Sequence, residues 1–290
     1  MTWASGFFYL AFCCQILFVS DYLPKRMVAF IDHVYANFPP ETHPKLYPVP
    51  FESCIRAKNR FAFGCRCILI GGLLLVLALM FLVEHKTIDG HEVISKAWPA
   101  GYAMLQFLPF VVMALSDVSA VKQMRKIDVS TIRVAELRRR TLSDYINPVL
   151  IVCAVALCVT FLLIEFYVNN PADRWSSDSV SRVVSTVLVN CFFIAIGAFS
   201  LYGPKQDPYQ TQKTRAHIVS IALKTLAFSS MAISIFMAVN AINDGLSSDA
   251  YEALIISIFL QVIAVISFGY TLSKTQPRKQ DFDVYREEAI

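Results

Sequence analysis

Five uncharged polar side chains, Gln106, Asn190, Ser229, Ser230 and Gln261, sit inside long apolar stretches of the chain. Amides and hydroxyls donate and accept hydrogen bonds, so a set of them at one depth suits a neutral polar or amphipathic solute in a low-dielectric bundle. Their other use is adhesive, tying helices together at about 0.6 kcal/mol per contact. Gln15 is a further candidate member. Charge is scarce at that depth. No Asp or Glu falls near the middle of an apolar stretch, Glu165 lies three residues from the end of its stretch, and Asp117 lies just past another. Intramembrane ionisable residues carry proton relays and cation-coupled pumps, so their absence argues against both.

Covalent and metal chemistry find little support. The chain has no G-x-S-x-G, H-E-x-x-H, phosphate-loop or dinucleotide pattern, which leans the reading away from an enzyme. Glu84, His85, Asp89, His91 and Glu92 cluster between two apolar stretches, but their spacing fits no tetrahedral zinc template, and a solvated loop is expected. Seven of the eight cysteines lie in apolar stretches and Cys54 lies in a basic loop, so free, packing thiols are expected rather than disulfides. Neither a cofactor nor a metal is implied.

The elements that must position these groups are set by the composition. Of 290 residues, 56% are hydrophobic and 17% are charged, with a net charge of +4 and a mean hydropathy of +0.52. Soluble domains carry about 25% charge, so this is the composition of a membrane protein, and the mild, mixed charge excludes nucleic acid as a partner. Backbone polar groups must be satisfied within each crossing segment, and about 20 apolar residues make one helical crossing. Seven stretches approach or meet that length: Ala4 to Val19, Cys65 to Val83, Ala97 to Leu115, Pro148 to Val168, Val180 to Ser200, Ile218 to Asn240 and Ala253 to Leu272. The expectation is an all-α polytopic transmembrane helix bundle forming a single integral membrane domain over residues 1–290. It has seven spans, or six if the short first stretch lies at the interface. Asn147 before Pro148 marks a helix start by its cap and by a proline that needs no partner for a missing N–H.

Basic residues fix the expected orientation, because short loops rich in Lys and Arg stay cytoplasmic. Alternate loops and the C-terminal tail carry 20 of the 26 Lys and Arg, whereas the intervening ones carry 4. The N-terminus is therefore expected outside and the C-terminus inside. Three cytoplasmic regions follow. Residues 20–61 hold an amphipathic helix with Met27, Phe30, Ile31, Val34 and Phe38 on one face, expected to lie on the membrane surface. A proline-rich path and a helix from Phe51 follow it. Residues 116–147 form a basic, partly helical loop that includes Arg138, Arg139 and Arg140, and residues 273–290 form a tail. Lys25, Arg26, Phe30 and Tyr47, with those three arginines, are the candidate surface for a protein partner or for anionic lipid headgroups. The absence of any Asn-x-Ser/Thr acceptor fits a bacterial inner membrane. Two functions are expected to compete: a midplane site that binds or transports a small uncharged or amphipathic solute, and a membrane subunit that recruits a partner through its first cytoplasmic loop.

Overall fold

The computed structural model describes residues 3–82, 86–88, 91–127, 141–168, 176–203, 207–245, 249–274 and 282–286. Seven helices are long and apolar enough to cross a membrane. The helical elements are α1 (Trp3–Leu17), α2 (Leu23–Asn37), α3 (Phe51–Phe81), α4 (Ala97–Ile127), α5 (Pro148–Val168), α6 (Ser177–Tyr202), α7 (Gln212–Gly245), α8 (Glu252–Ala264) and the short α9 (Thr271–Lys274). A two-stranded antiparallel hairpin, β1 (Lys86–Ile88) and β2 (His91–Val93), joins α3 to α4. The end of the bundle bearing this hairpin is called the hairpin end, and the opposite end, where α2 and the start of α3 meet, the basic end.

α1 explains why the first apolar stretch belongs to the bundle and not to an interface. Ala4, Phe8, Phe12, Ile16, Val19 and Leu23 recur every three or four residues, and all are buried. They form a continuous stripe that the other helices enclose. α1 then runs without a break through a π-helical turn, Phe18–Tyr22, into α2. Leu17 and Leu23, on either side of that turn, both keep right-handed helical angles. The amphipathic face expected in α2 is present but meets protein. α2 packs on α3, Met27 and Val28 join the apolar layer beneath it, and Lys58 of α3 pairs with Asp32 of α2. The expected helix from Phe51 is likewise one piece with the second span, since 31 residues make a helix of ~46 Å, longer than the ~30 Å hydrocarbon core.

The helices divide into two groups. α1, α3, α4 and α8 pack around one another and contain two apolar clusters, one centred on Phe8, Phe12, Leu79 and Tyr102, the other on Val19, Phe61, Phe110 and Ala264. In the second group α5 and α6 both pack on α7 and barely touch each other. The group has a smaller cluster, Ile146, Leu201, Val219 and Leu223. α7 and α8 connect the two. On α5, Val149, Val152, Val155, Val159, Leu163 and Phe166 recur every three or four residues and expose one continuous apolar face, and water is a poor solvent for such a surface. Hydrocarbon is a good one.

Candidate functional site

Four of the five polar residues fall into two groups rather than meeting at one point. Gln106 on α4 and Gln261 on α8 belong to the first group, with Gln15 at its centre. Gln15 Nε2 donates to Gln106 Oε1 at 2.9 Å, and Gln15 Oε1 accepts from Ser257 Oγ at 2.8 Å. Gln106 Nε2 donates to Ser20 Oγ at 2.9 Å. Gln261 Nε2 donates to the carbonyls of Ala11 at 3.0 Å and Ser257 at 3.3 Å. Gln15 and Ser257 are 0% exposed and Gln106 2%, so the bonds among these three form in a place closed to both water and lipid, while Gln261 at the edge of the network is half-buried. A buried amide costs free energy unless its donors and acceptors are used, and here helices α1, α4 and α8 use them on one another. Of these members, Ser20 and Ser257 escaped the sequence reading. The spacing of Ser257 and Gln261 by one helical turn was the available signal.

Asn190 and Ser230 form the second group, on α6 and α7. Ser230 Oγ donates to Asn190 Oδ1, while Asn190 Nδ2 donates to the Thr186 carbonyl at 2.9 Å. Thr186 Oγ1 donates to the Arg182 carbonyl at 2.8 Å, and Ser234 Oγ to the Ser230 carbonyl at 3.0 Å. A polar seam thus runs from mid-helix toward the hairpin end and finishes in an ion cluster. Arg182 binds both Glu165 oxygens from Nε at 3.2 Å and reaches Oε1 again from Nη2 at 2.8 Å, while its Nη1 meets Asp244. Glu165 is a helix-pairing carboxylate, clamped in the forked geometry that suits guanidinium. Arg182 was not singled out by the sequence. It lies in the second turn of α6, which starts at Ser177 because Ser176 Oγ accepts from the Ser179 amide at 3.2 Å.

Asn190 and Ser230 also lie on the wall of a cavity of about 420 Å³ between α5, α6 and α7. Ile151, Val155 and Cys158 of α5 face Phe193 and Gly197 of α6, with Leu223 and Ala227 of α7 as the floor. The cavity exists because α5 and α6 diverge over α7, and it lies in the half of these helices nearer the basic end. Its volume falls in the range of about 300–1,000 Å³ usual for small-molecule sites, which combine apolar walls with few polar groups. Ser229, one residue before Ser230, is buried at 6% exposure.

Comparison with protein-family models, with curated proteins and with solved structures finds no match. The chemistry of the cavity and its surroundings therefore has to carry the functional reading.

The candidate partner surface is a folded unit at the basic end. Lys25 is exposed and pairs with Asp21 at 2.8 Å, Arg26 lies 5.8 Å from the Tyr22 ring centre, and Phe30 is half-buried. Tyr47 donates to the Phe38 carbonyl at 2.7 Å and packs edge-on against Phe51. Burial, with smaller contributions from Cys54 and Glu41, pushes its hydroxyl up to about 12. Residues of the tail reach this unit: Phe282 stacks on Phe38 at 4.1 Å, Arg286 Nε donates to His43 Nε2 at 3.4 Å, and Tyr285 donates to Asp207 of the α6–α7 connection. His43 is held below its ordinary value by burial first and by Arg286 second, against an opposing pull from Asp283. Arg138, Arg139 and Arg140 lie outside the described residues, as do the side chains of Glu84, His85, Asp89, His91 and Glu92. All eight cysteines are free.

Proposed function

We propose that this chain is a non-enzymatic multi-pass protein of the plasma membrane, of the bacterial inner-membrane kind, that binds a small uncharged amphipathic solute in the α5–α6–α7 cavity. The observation that carries this reading is a ligand-sized apolar cavity with one neutral hydrogen-bonding pair, Asn190 and Ser230, on its wall. Asn190 keeps a second amide hydrogen and a second lone pair beyond the bonds already described, enough to read a hydroxyl or carbonyl without charge. The diverging faces of α5 and α6 are apolar on both sides, so the solute enters from the bilayer. Gln106 and Gln261 act as ties between helices in this reading, because Gln106 bonds Gln15 and Ser20 and Gln261 donates across to the Ala11 carbonyl of α1.

The test is binding of a fluorescent monoacylglycerol to the full chain in nanodiscs. Asn190→Leu is expected to weaken binding about tenfold, the value of one lost hydrogen bond, and Ala227→Phe to abolish it by filling the cavity. Gln261→Leu is expected to leave affinity unchanged in folded protein. Binding indifferent to both cavity variants overturns the reading. A second reading, recruitment of a partner through the first loop, is favoured by the ordered aromatic unit of Tyr35, Tyr47 and Phe51. Crosslinking from Phe30 that captures only lipid removes it.

A further inference from the structure

Three of the four helices around the sealed glutamine network are weakened at the same level. α1 passes into α2 through the π turn Phe18–Tyr22, and α8 passes into α9 through a second one, Val265–Tyr270. α4 carries Pro109 in its interior, which removes one rung of its hydrogen-bond ladder. These three features fall in a single apolar layer: Val19 belongs to the first π turn, Phe268 to the second, and Phe110 follows the proline, all in one cluster with Phe61, Cys65 and Ala264. Phe110 sits 4.5 Å from Phe268 and 5.2 Å from Phe61, ring centre to ring centre. On α3, Gly64 faces Pro109, so a side chain there would begin 3.8 Å from the proline ring.

Helix kinks arise at prolines and π turns, and π turns recur at functional sites. One such feature is a local accident of sequence. Three in neighbouring helices at one level, all in the same apolar cluster, form a plane across which the bundle can bend. On the hairpin side of that plane the bonds among Gln15, Gln106 and Ser257 pin the helices together. On the basic side α2 and the start of α3 are held together by the Lys58–Asp32 salt bridge and by the Tyr35–Phe51 ring contact nearer the surface.

We infer that this layer is a hinge. The basic-end halves of α1–α2, α4 and α8–α9 swing against hairpin-end halves held by the glutamine network, and α3, which is unbroken, tilts with them as one rod. The second π turn gives the motion a route to the other helices, since Tyr270 packs edge-on against Phe228 of α7 at 5.8 Å, next to Ala227 on the cavity floor. The hinge stands on helix geometry alone and does not depend on what the cavity binds.

Pulsed-EPR distances on the full chain in nanodiscs test it, with spin labels introduced as noncanonical amino acids so that the native cysteines stay in place. A basic-end pair at Arg56 and Lys274 is compared with a hairpin-end pair at Phe81 and Tyr251, both pairs joining α3 to the α8–α9 helix. The hinge predicts a distance distribution at the basic end about twice as broad as at the hairpin end, or split in two. Pro109→Ala, which restores the α4 ladder, and deletion of Ile266, which removes the extra residue of the second π turn, should each narrow it. If one of these variants fails to fold, the other retains the test. Basic-end distances as narrow as the hairpin-end ones in the parent protein, or unchanged in a folded variant, overturn the inference.

Discussion

The two helix groups handle polar side chains in opposite ways. Around α1, glutamines and serines are sealed in and matched donor to acceptor, and the helices close over them. Around α7, Asn190 and Ser230 are also bonded, yet the helices beside them diverge and leave about 420 Å³ of space against that pair. The same residue types therefore act as ties where helices converge and as a wall where they part. Packing decides which, through the residues that set helix separation. Gly72 lets Tyr102 approach so closely that a Cβ would begin 2.1 Å from its hydroxyl. Tyr102 has little room to retreat, because it donates to the Ile68 carbonyl at 2.6 Å and packs edge-on against Phe12. In the α7 group Gly197 lines the cavity, and a Cβ there would meet only the ends of two flexible side chains, Leu223 at 3.2 Å and Leu226 at 3.7 Å.

The contrast can be broken or sharpened by substitution. The largest effect is expected at the ion cluster that holds the diverging helices together at the hairpin end. Glu165 is 5% exposed, and Glu165→Gln takes from Arg182 its buried carboxylate and leaves the more exposed Asp244 as its ion-pair partner. The α5–α6–α7 group should lose about 3 kcal/mol, the lower end for a broken buried pair, measured as a fall in thermal midpoint by thiol-reactive dye. Next comes the glycine pair. Gly72→Ala is expected to cost about 1–3 kcal/mol by overpacking against Tyr102. Gly197→Ala should cost well under about 1 kcal/mol, because Leu223 can yield into the cavity. Equal costs at the two positions would remove the distinction between a closed and an open group. Gln15→Leu follows, at about 1–2 kcal/mol, since it strands the polar atoms of Gln106 and Ser257 in a place without water.

The smallest expected effect concerns the tail. An imidazole held below its ordinary 6.5 binds its proton less readily in the folded chain than in the unfolded one. The stability gained from neutral His43 is therefore present above pH 6.5 and lost as the pH falls through that value toward the lower folded one. Protonation also removes the acceptor for Arg286. A spin label at Val284 should become more mobile on acidification, and His43→Ala should abolish that pH dependence.

Much of this fold was legible in the sequence, because span length and hydropathy are properties of contiguous residues. The seven stretches, the cap at Asn147 and the free thiols all depend on local composition. Asn147 Oδ1 does accept from the Val149 amide at 2.9 Å. Which polar groups meet depends on helix adjacency, and neither depth nor period specifies that. Gln106 and Gln261 came together through α1, whereas Asn190 found Ser230. The face of α2 was read correctly as apolar, but its partner was read as lipid, because a hydrophobic stripe does not say whether α3 or a bilayer will cover it. The π turn that carries α1 straight into α2 is marked by no residue type or spacing in Phe18–Tyr22. The cavity arises from the divergence of α5 and α6, a property of three helices at once.

Two native cysteines offer the most direct test of the contrast between a sealed and an open group. Cys158 lines the cavity, and Cys65 is 3% exposed in the layer beneath the glutamine network. Ethylmercury labelling of the full chain in nanodiscs, with each site followed by mass spectrometry, should modify Cys158 quickly and Cys65 slowly. Ala227→Phe should slow Cys158 alone. Cys65 reacting as fast as Cys158, or Cys158 indifferent to the filled cavity, would contradict the division into a closed and an open half.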